Sequence, residues 1–266
     1  MTFNILAGGG DESRFRGILE MIRHAQPDVL VMQECLGWED GERLKLVAQA
    51  LNIPLKPTCS YLGVARPRVS GRRRYHVAVA SRLPMQNVVT YNSPFFLGHC
   101  IVKFDISVKQ QTITLFGTHF DARSENLRFV EARYLRSLID VEAFNTGYYV
   151  LIGDLNSLSK HDPYPANLEE LLLRSWTTKY HIPPRFEVIE ELETFGWIDT
   201  LYHNQDKERK WVTATRNRGG VRIDYRTDYI FASPAMADML IKTDIIEAEG
   251  VSDHNPVMAT FQEGTG

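Results

Sequence analysis

Apolar runs in this sequence end, one after another, on residues that can hold an ion or move a proton. Asn4 closes the first run, Gln33-Glu34 follow Val29 to Met32, His119 follows Leu115 to Thr118, and Asp154 follows Val150 to Gly153. Strand ends are rigid platforms on which residues distant in the chain can meet in one cleft. A carboxylate buried there needs a partner or takes up a proton, because desolvation penalises its charge. The recurrence therefore supports a shared site more strongly than any one position. Asp154 and Asn156 share a side if the strand persists, so a charged and a neutral hydrogen-bonding group could reach one ligand. The same tetrapeptide also suits an Asp/Asn-stabilised turn. Asp253 and His254 can reach one ligand only if the chain turns there, as Ser252, Asn255 and Pro256 favour.

The elements that must position these residues follow from periodicity. An opening strand over residues 2–6 leads through Gly8-Gly9-Gly10 to Phe15, Ile18, Leu19 and Ile22 at helical spacing, then to a strand at 29–32. A second helix is expected over 42–51 and strands over 76–80, 98–106 and 112–117. A helix through Phe129 to Ile139 precedes a strand at 148–152. Short helices at 168–173 and 186–195 and strands at 229–232 and 257–261 complete the pattern. Helices and strands alternate throughout, which favours a layered α/β (α+β) domain over a bundle or a pure barrel. One domain over 1–266 is expected, with the Pro-rich stretch around 160–185 as a surface insertion.

The chain has 266 residues, is 44% hydrophobic and carries a formal charge of -3, which suits a folded core and argues against a uniformly basic nucleic-acid binder. The average conceals an asymmetry. Between Arg43 and His99 there is no Asp or Glu, while Arg66, Arg68, Arg72, Arg73 and Arg74 cluster in that interval. Cys35, Cys59 and Cys100 are an odd number without a CxxC pair, and no signal-like or membrane-length apolar run is present, so the cytoplasm is the expected compartment. The glycines at 8 to 10 lack the Lys and hydroxyl residues of a nucleotide P-loop.

Taken in order, Phe3-Asn4-Ile5, Met32-Gln33-Glu34, Gly117-Thr118-His119-Phe120, Gly153-Asp154-Leu155-Asn156, Arg226-Thr227-Asp228-Tyr229-Ile230 and Ser252-Asp253-His254-Asn255-Pro256 closely resemble the endonuclease/exonuclease/phosphatase superfamily, the DNase I-like metal-dependent phosphoesterases. The resemblance spans almost the whole chain. It implies a four-layer sandwich of two packed β-sheets flanked by helices. It also implies Glu34 as a ligand of Mg2+ or Mn2+, with Asp253 and Asn4 in the metal shell. Asp154 would prepare the attacking water, Asn156 and Asn4 would position water or phosphate, and His119, in its charged form, would stabilise phosphate oxygens. His254 would contact phosphate or transfer a proton, oriented by Asp228. The repeated Arg-x-Asp-Tyr unit leaves Asp224 as an alternative orienter. Taken singly, Glu34 could cap a helix and either His could be structural.

The superfamily's substrates include nucleic acids, inositol phosphates and phospholipids, so the resemblance does not select one. Arg72, Arg73 and Arg74, with Tyr61 or Tyr75, could attract an extended phosphate backbone, which tips the expectation toward a nuclease. A sphingomyelinase-like or inositol phosphate phosphoesterase is the alternative, with an acidic lipid headgroup as the arginines' partner. A phosphate-binding module without catalysis is the reading from a different class. The sequence does not fix the oligomeric state.

Overall fold

The computed structural model describes residues 1–66, 73–175, 179–203, 210–218, 220–248 and 250–263. Its strands are β1 Thr2–Asn4, β2 Val29–Gln33, β3 Ser60–Gly63, β4 Val77–Ser81, β5 Gln86–Tyr91, β6 Ile101–Val108, β7 Gln111–His119, β8 Tyr148–Asp154, β9 Ile198–Asp199, β10 Ala214–Arg218, β11 Val221–Tyr225, β12 Asp228–Ala232, β13 Leu240–Ile245 and β14 Val257–Phe261. The helices are α1 Glu12–Ala25, α2 Glu42–Ala50, α3 Glu125–Ser137, α4 Val141–Thr146, α5 Leu168–Arg174, α6 Glu187–Phe195, α7 Thr200–His203 and α8 Pro234–Ala237.

One six-stranded sheet has the order β13-β14-β1-β2-β4-β3, and a second has the order β5-β6-β7-β8-β12-β9. β1 pairs in parallel with β2, and β7 with β8; the other ladders are antiparallel. Side-chain alternation then builds the layers. On β2, Leu30 and Met32 face α1 and α2, where they meet Phe15, Ile18 and Val47, whereas Val31 faces the other sheet and packs with Val102, Phe104 and Ile152. On the far side, Phe116, Leu151 and Phe231 pack against Leu135 of α3, Phe144 of α4 and Leu192 of α6. This is the expected four-layer sandwich. The sheets approach so closely that a Cβ on Gly117 would lie 2.9 Å from Val31 Cγ1.

Local signals fix the helices. Asp11 accepts the Arg14 N–H at 2.9 Å and starts α1; Ser124 accepts the Leu127 N–H at 3.2 Å and starts α3. The Pro-rich stretch contributes α5, whose Leu168 and Leu172 form a small separate core with Val221, Ile223 and Tyr225 of the β10–β11 hairpin. Among the described residues, no helix is long and apolar enough to cross a membrane.

The residues leading into β12 are held by a buried ion cluster. Arg226 lies between Asp162, 2.9 Å from Nε, and Asp199, 2.6 Å from Nη2, and its guanidinium stacks 4.2 Å from the Tyr229 ring centroid. Arg226→Met would leave two buried carboxylates facing each other, and breaking such a cluster costs about 3–5 kcal/mol. Urea unfolding should show that loss; a midpoint within error of wild type would contradict the account.

Candidate active site

Register brings the chemistry together at one end of both sheets. In the second sheet, Asp154 at the end of β8 lies opposite His119 on β7 and opposite Asp228 on β12. In the first sheet, Asn4 at the end of β1 lies opposite Gln33, so Glu34 falls just past the end of β2. Asn4 joins the two sheets: its Nδ2 donates to Asp154 Oδ2 at 2.9 Å and to Glu34 Oε1 at 3.4 Å. Glu34 adopts a positive φ of 59°, and its Oε2 accepts the Ala7 N–H at 2.8 Å. The Asn4 Oδ1 accepts the Leu6 N–H at 3.0 Å, so the amide cannot rotate without losing that bond.

The closing segment turns as its residues suggest. Ser252 Oγ donates to Asn4 O at 2.7 Å and accepts the His254 N–H at 3.2 Å, which aims the imidazole inward. His254 Nδ1 lies 2.8 Å from Asp228 Oδ2 and 4.0 Å from Asp154 Oδ2. Asp224 is elsewhere, bonded to Arg222 and to Thr215 Oγ1. Thr213 Oγ1 accepts the N–H groups of both Thr227 and Asp228, fixing the start of β12.

Burial disfavours a charged His254, but the Asp228 contact, with Asp154 and Asp253 behind it, outweighs this and holds the pKa up to about 10. The Nδ1 proton therefore belongs on the imidazole at neutral pH, leaving Nε2–H as a second donor. Since the folded pKa lies above the unfolded one, this contribution to stability is complete below pH ~6.5 and is lost as pH rises through about 10. By NMR, His254 should stay protonated over roughly pH 6–9 in the wild type and titrate within that range in Asp228→Asn. A wild-type imidazole titrating near pH ~6.5 would contradict the pairing.

His119 departs from expectation. Burial lowers its pKa to about 4 despite Asp154, with its Nε2 3.7 Å from Asp154 Oδ2, so it is a neutral donor rather than a cation at neutral pH. Among the described residues, neither of its ring nitrogens has a hydrogen-bond partner. For Asp154, burial opposes ionisation, but His254 and His119 prevail and lower its pKa to about 2. Asn156 also differs from the strand-based expectation. β8 stops at Asp154, Asn156 takes a left-handed φ of 51°, its N–H donates to Asp154 Oδ1 at 2.8 Å, and its Nδ2 donates to Phe120 O at 2.9 Å. Its amide nitrogen thus fixes the turn that orients Asp154.

The donor set fits a hard divalent cation. Glu34 and Asp154 bring two carboxylates to one Asn4 amide, a concentration of negative oxygen that a divalent ion would neutralise. Asp154, Asp228 and His254 also place one ligand atom each within 4.8 Å of one another. There, however, His254 Nδ1 is occupied by Asp228, so the Glu34 side has the better chemistry for an ion. Asp253 is exposed and outside that group, and its carbonyl accepts the Thr215 N–H.

Of the expected substrate arginines, Arg72 lies outside the described residues, as does Arg68. Arg73 is exposed, and Arg74 Nη2 lies 2.9 Å from Glu39 Oε1. Tyr61 is bonded to Thr90, while Tyr75 lies beside the site against His99. Sequence reasoning missed Lys179, half-buried, whose charge is felt at Asp154 and His119. It also missed Thr213 and His99. A lone Lys in a Pro-rich stretch and hydroxyls acting on backbone N–H groups leave no periodic signal.

The sequence matches the Endonuclease/Exonuclease/phosphatase family over residues 1–254. No curated protein matches it. Among solved structures, similar folds include an endonuclease/exonuclease/phosphatase family protein from Leptotrichia buccalis, 16% identical with a TM-score of 0.69, covering 98% of each chain. An AP endonuclease from Archaeoglobus fulgidus is 18% identical at TM-score 0.67, covering 98% of this chain and 97% of its own. The 3′ phosphatase NExo from Neisseria, bound to a product DNA hairpin, is 20% identical at TM-score 0.66 and covers 98% of each.

Proposed function

Since the chain belongs to the endonuclease/exonuclease/phosphatase family, and so to the phosphoric-ester hydrolases, we propose that it cleaves a phosphodiester of nucleic acid in a Mg2+- or Mn2+-dependent reaction. The observation that carries this reading is Asp154 held ionised between Asn4 and the Asn156 backbone, beside a His254–Asp228 pair. Asp154 takes a proton from the attacking water as its oxygen bonds to phosphorus. His254, charged, and His119, neutral, donate hydrogen bonds to phosphate oxygens, and the ester oxygen leaves as the P–O bond breaks, taking a proton from solvent to become an alcohol while Asp154 releases to solvent the proton it took. Asn4 and Asn156 act by orienting these groups. Glu34 would hold the ion, with Asn4 beside it, and the bound ion would polarise phosphate and offset leaving-group charge.

Nucleic acid is favoured as substrate because two similar folds are an AP endonuclease and a phosphatase bound to a DNA product, and because arginines flank the site. Three buried free cysteines support a reducing, cytoplasmic setting. Purified protein with Mg2+ or Mn2+ should hydrolyse at least one of single-stranded DNA, double-stranded DNA and RNA faster than sphingomyelin or inositol phosphates. Turnover confined to the lipid or the inositol phosphate would replace the nuclease reading. Binding of phosphate without turnover of any compound would leave a binding module.

A further inference from the structure

Beside the Glu34 edge of the site lies a cavity of about 430 Å³, bordered by Glu34 and His119 where it joins the site and by exposed Arg66, Arg73 and Arg123 at its mouth. Among the described residues, none of these three arginines has a carboxylate within ion-pair distance. Arg74 differs: Glu39 binds it and also contacts His76 Nε2 at 3.0 Å. The acidic groups that border the cavity are already engaged. Glu34 is held by Asn4 and the Ala7 N–H, and Asp121 Oδ1 accepts the N–H groups of Arg123 and Ser124 at 2.8 and 2.6 Å. Three guanidinium groups without a carboxylate partner against these two carboxylates leave the mouth net positive.

The inner wall carries stacked rings. His99 stacks on His119 with ring centroids 4.1 Å apart and planes within 10°, and Tyr75 meets His99 edge-on. Among the described residues, His99 Nε2 is buried without a hydrogen-bond partner, as are both nitrogens of His119. Burial keeps both rings neutral, lowering their pKa values to about 3 and about 4. The wall is also fixed from behind by α3. Glu131 accepts the N–H groups of Gly98 and Asp121, each at 2.7 Å, while Arg128 Nη1 donates to Asp121 O at 3.0 Å. Gly98 sits so close to Asp121 that a Cβ there would lie 2.7 Å from the Asp121 Cβ, which closes the wall between them.

We infer that this cavity is a subsite for a terminal phosphate carried by the same substrate, next to the ester that is cleaved. The inference rests on the phosphodiesterase reading above and adds an end-recognition step to it. A dianionic monoester can engage several guanidinium groups, whereas an internal diester brings one charge. Gly98 and Asp121 are in such close contact at the inner wall that a strand cannot pass between them. The volume falls in the range of small-ligand pockets, roughly 300–1,000 Å³, rather than an open duplex groove.

Calorimetry on Asp154→Asn protein, which should hold substrate without cleaving it, can compare the thymidine dinucleotide TpT, the same compound with a terminal phosphate (pTpT and TpTp), and the trinucleotide TpTpT. One phosphate-terminated form should bind about tenfold more tightly than TpT, while TpTpT should not. Adding Arg73→Gln and Arg123→Gln should erase the gain, so that in that variant the phosphate-terminated form binds no more tightly than TpT. Equal binding of all four, a gain shared by TpTpT, or a gain surviving the arginine substitutions overturns the subsite. Binding of none overturns it too. Turnover by the wild type is scored separately: DNA or RNA hydrolysis without end preference sinks the subsite and keeps the nuclease reading, whereas end-selective binding without nucleic-acid hydrolysis does the reverse.

Discussion

Asp154→Asn is expected to reduce turnover by about a thousandfold or more while leaving the fold intact, because it removes the carboxylate placed at the centre of the site to take a proton from water. The native carboxylate accepts from Asn4 Nδ2 through Oδ2 and from the Asn156 N–H through Oδ1. An asparagine can present an oxygen to only one of these donors and must turn its own NH₂ toward the other. It also removes the negative charge between His119 and His254. The pH dependence has a definite sign. Because the folded pKa of Asp154 is lowered to about 2, its contribution to stability is present above the unfolded value of ~3.9 and is lost as pH falls through about 2. Wild type and variant should therefore diverge in activity throughout the neutral range, where the native carboxylate is ionised. Steady-state kinetics on whichever phosphodiester proves active, with circular dichroism to check the fold, measures this. A folded variant retaining more than about a tenth of wild-type kcat would remove Asp154 from the role of base.

Much of this site was legible because burial and chemistry coincide at strand ends. Each of β1, β2, β7 and β8 is an apolar run stopped by a polar residue, and those stops mark Asn4, Glu34, His119 and Asp154. Edge strands were harder to read. β5 and β13 are largely exposed or half-buried, so alternation gives no continuous apolar signal, and the β10–β11 hairpin mixes arginines with its apolar residues. Asn156 shows a different limit: identity suggested its neighbourhood, but a strand period misdescribed the left-handed turn that places it. His119 shows a third, since a residue type does not disclose whether burial will permit its charge. The Asp224/Asp228 ambiguity needed three dimensions, because only the register of β12 against β8 puts Asp228 across from Asp154 and within reach of His254.

Chelation should abolish turnover, and Mg2+ or Mn2+ should restore it; the argument rests on the charge balance between Glu34 and Asp154. Two carboxylates share a single neutral amide donor at Asn4, and the Ala7 and Asn156 N–H groups add one neutral donor each. His254 has its Nδ1 proton committed to Asp228, and His119 is uncharged, so neither offsets Glu34 directly. A divalent cation supplies the missing charge. Glu34→Gln keeps the shape and one acceptor but removes half of that demand. Its activity should need metal at about a hundredfold higher concentration, with partial recovery at saturation. A readout independent of turnover follows from linkage: ion at about 100 times its Kd adds about 2.7 kcal/mol, or about 5–10 °C in Tm for a chain of this size. That shift should shrink in Glu34→Gln and persist in Asp224→Asn, whose carboxylate is engaged with Arg222 and Thr215 away from the ion. Metal-independent turnover, or an unchanged metal requirement in Glu34→Gln, would move the ion away from Glu34 and leave its tether to Asn4 and Ala7 as a purely structural turn.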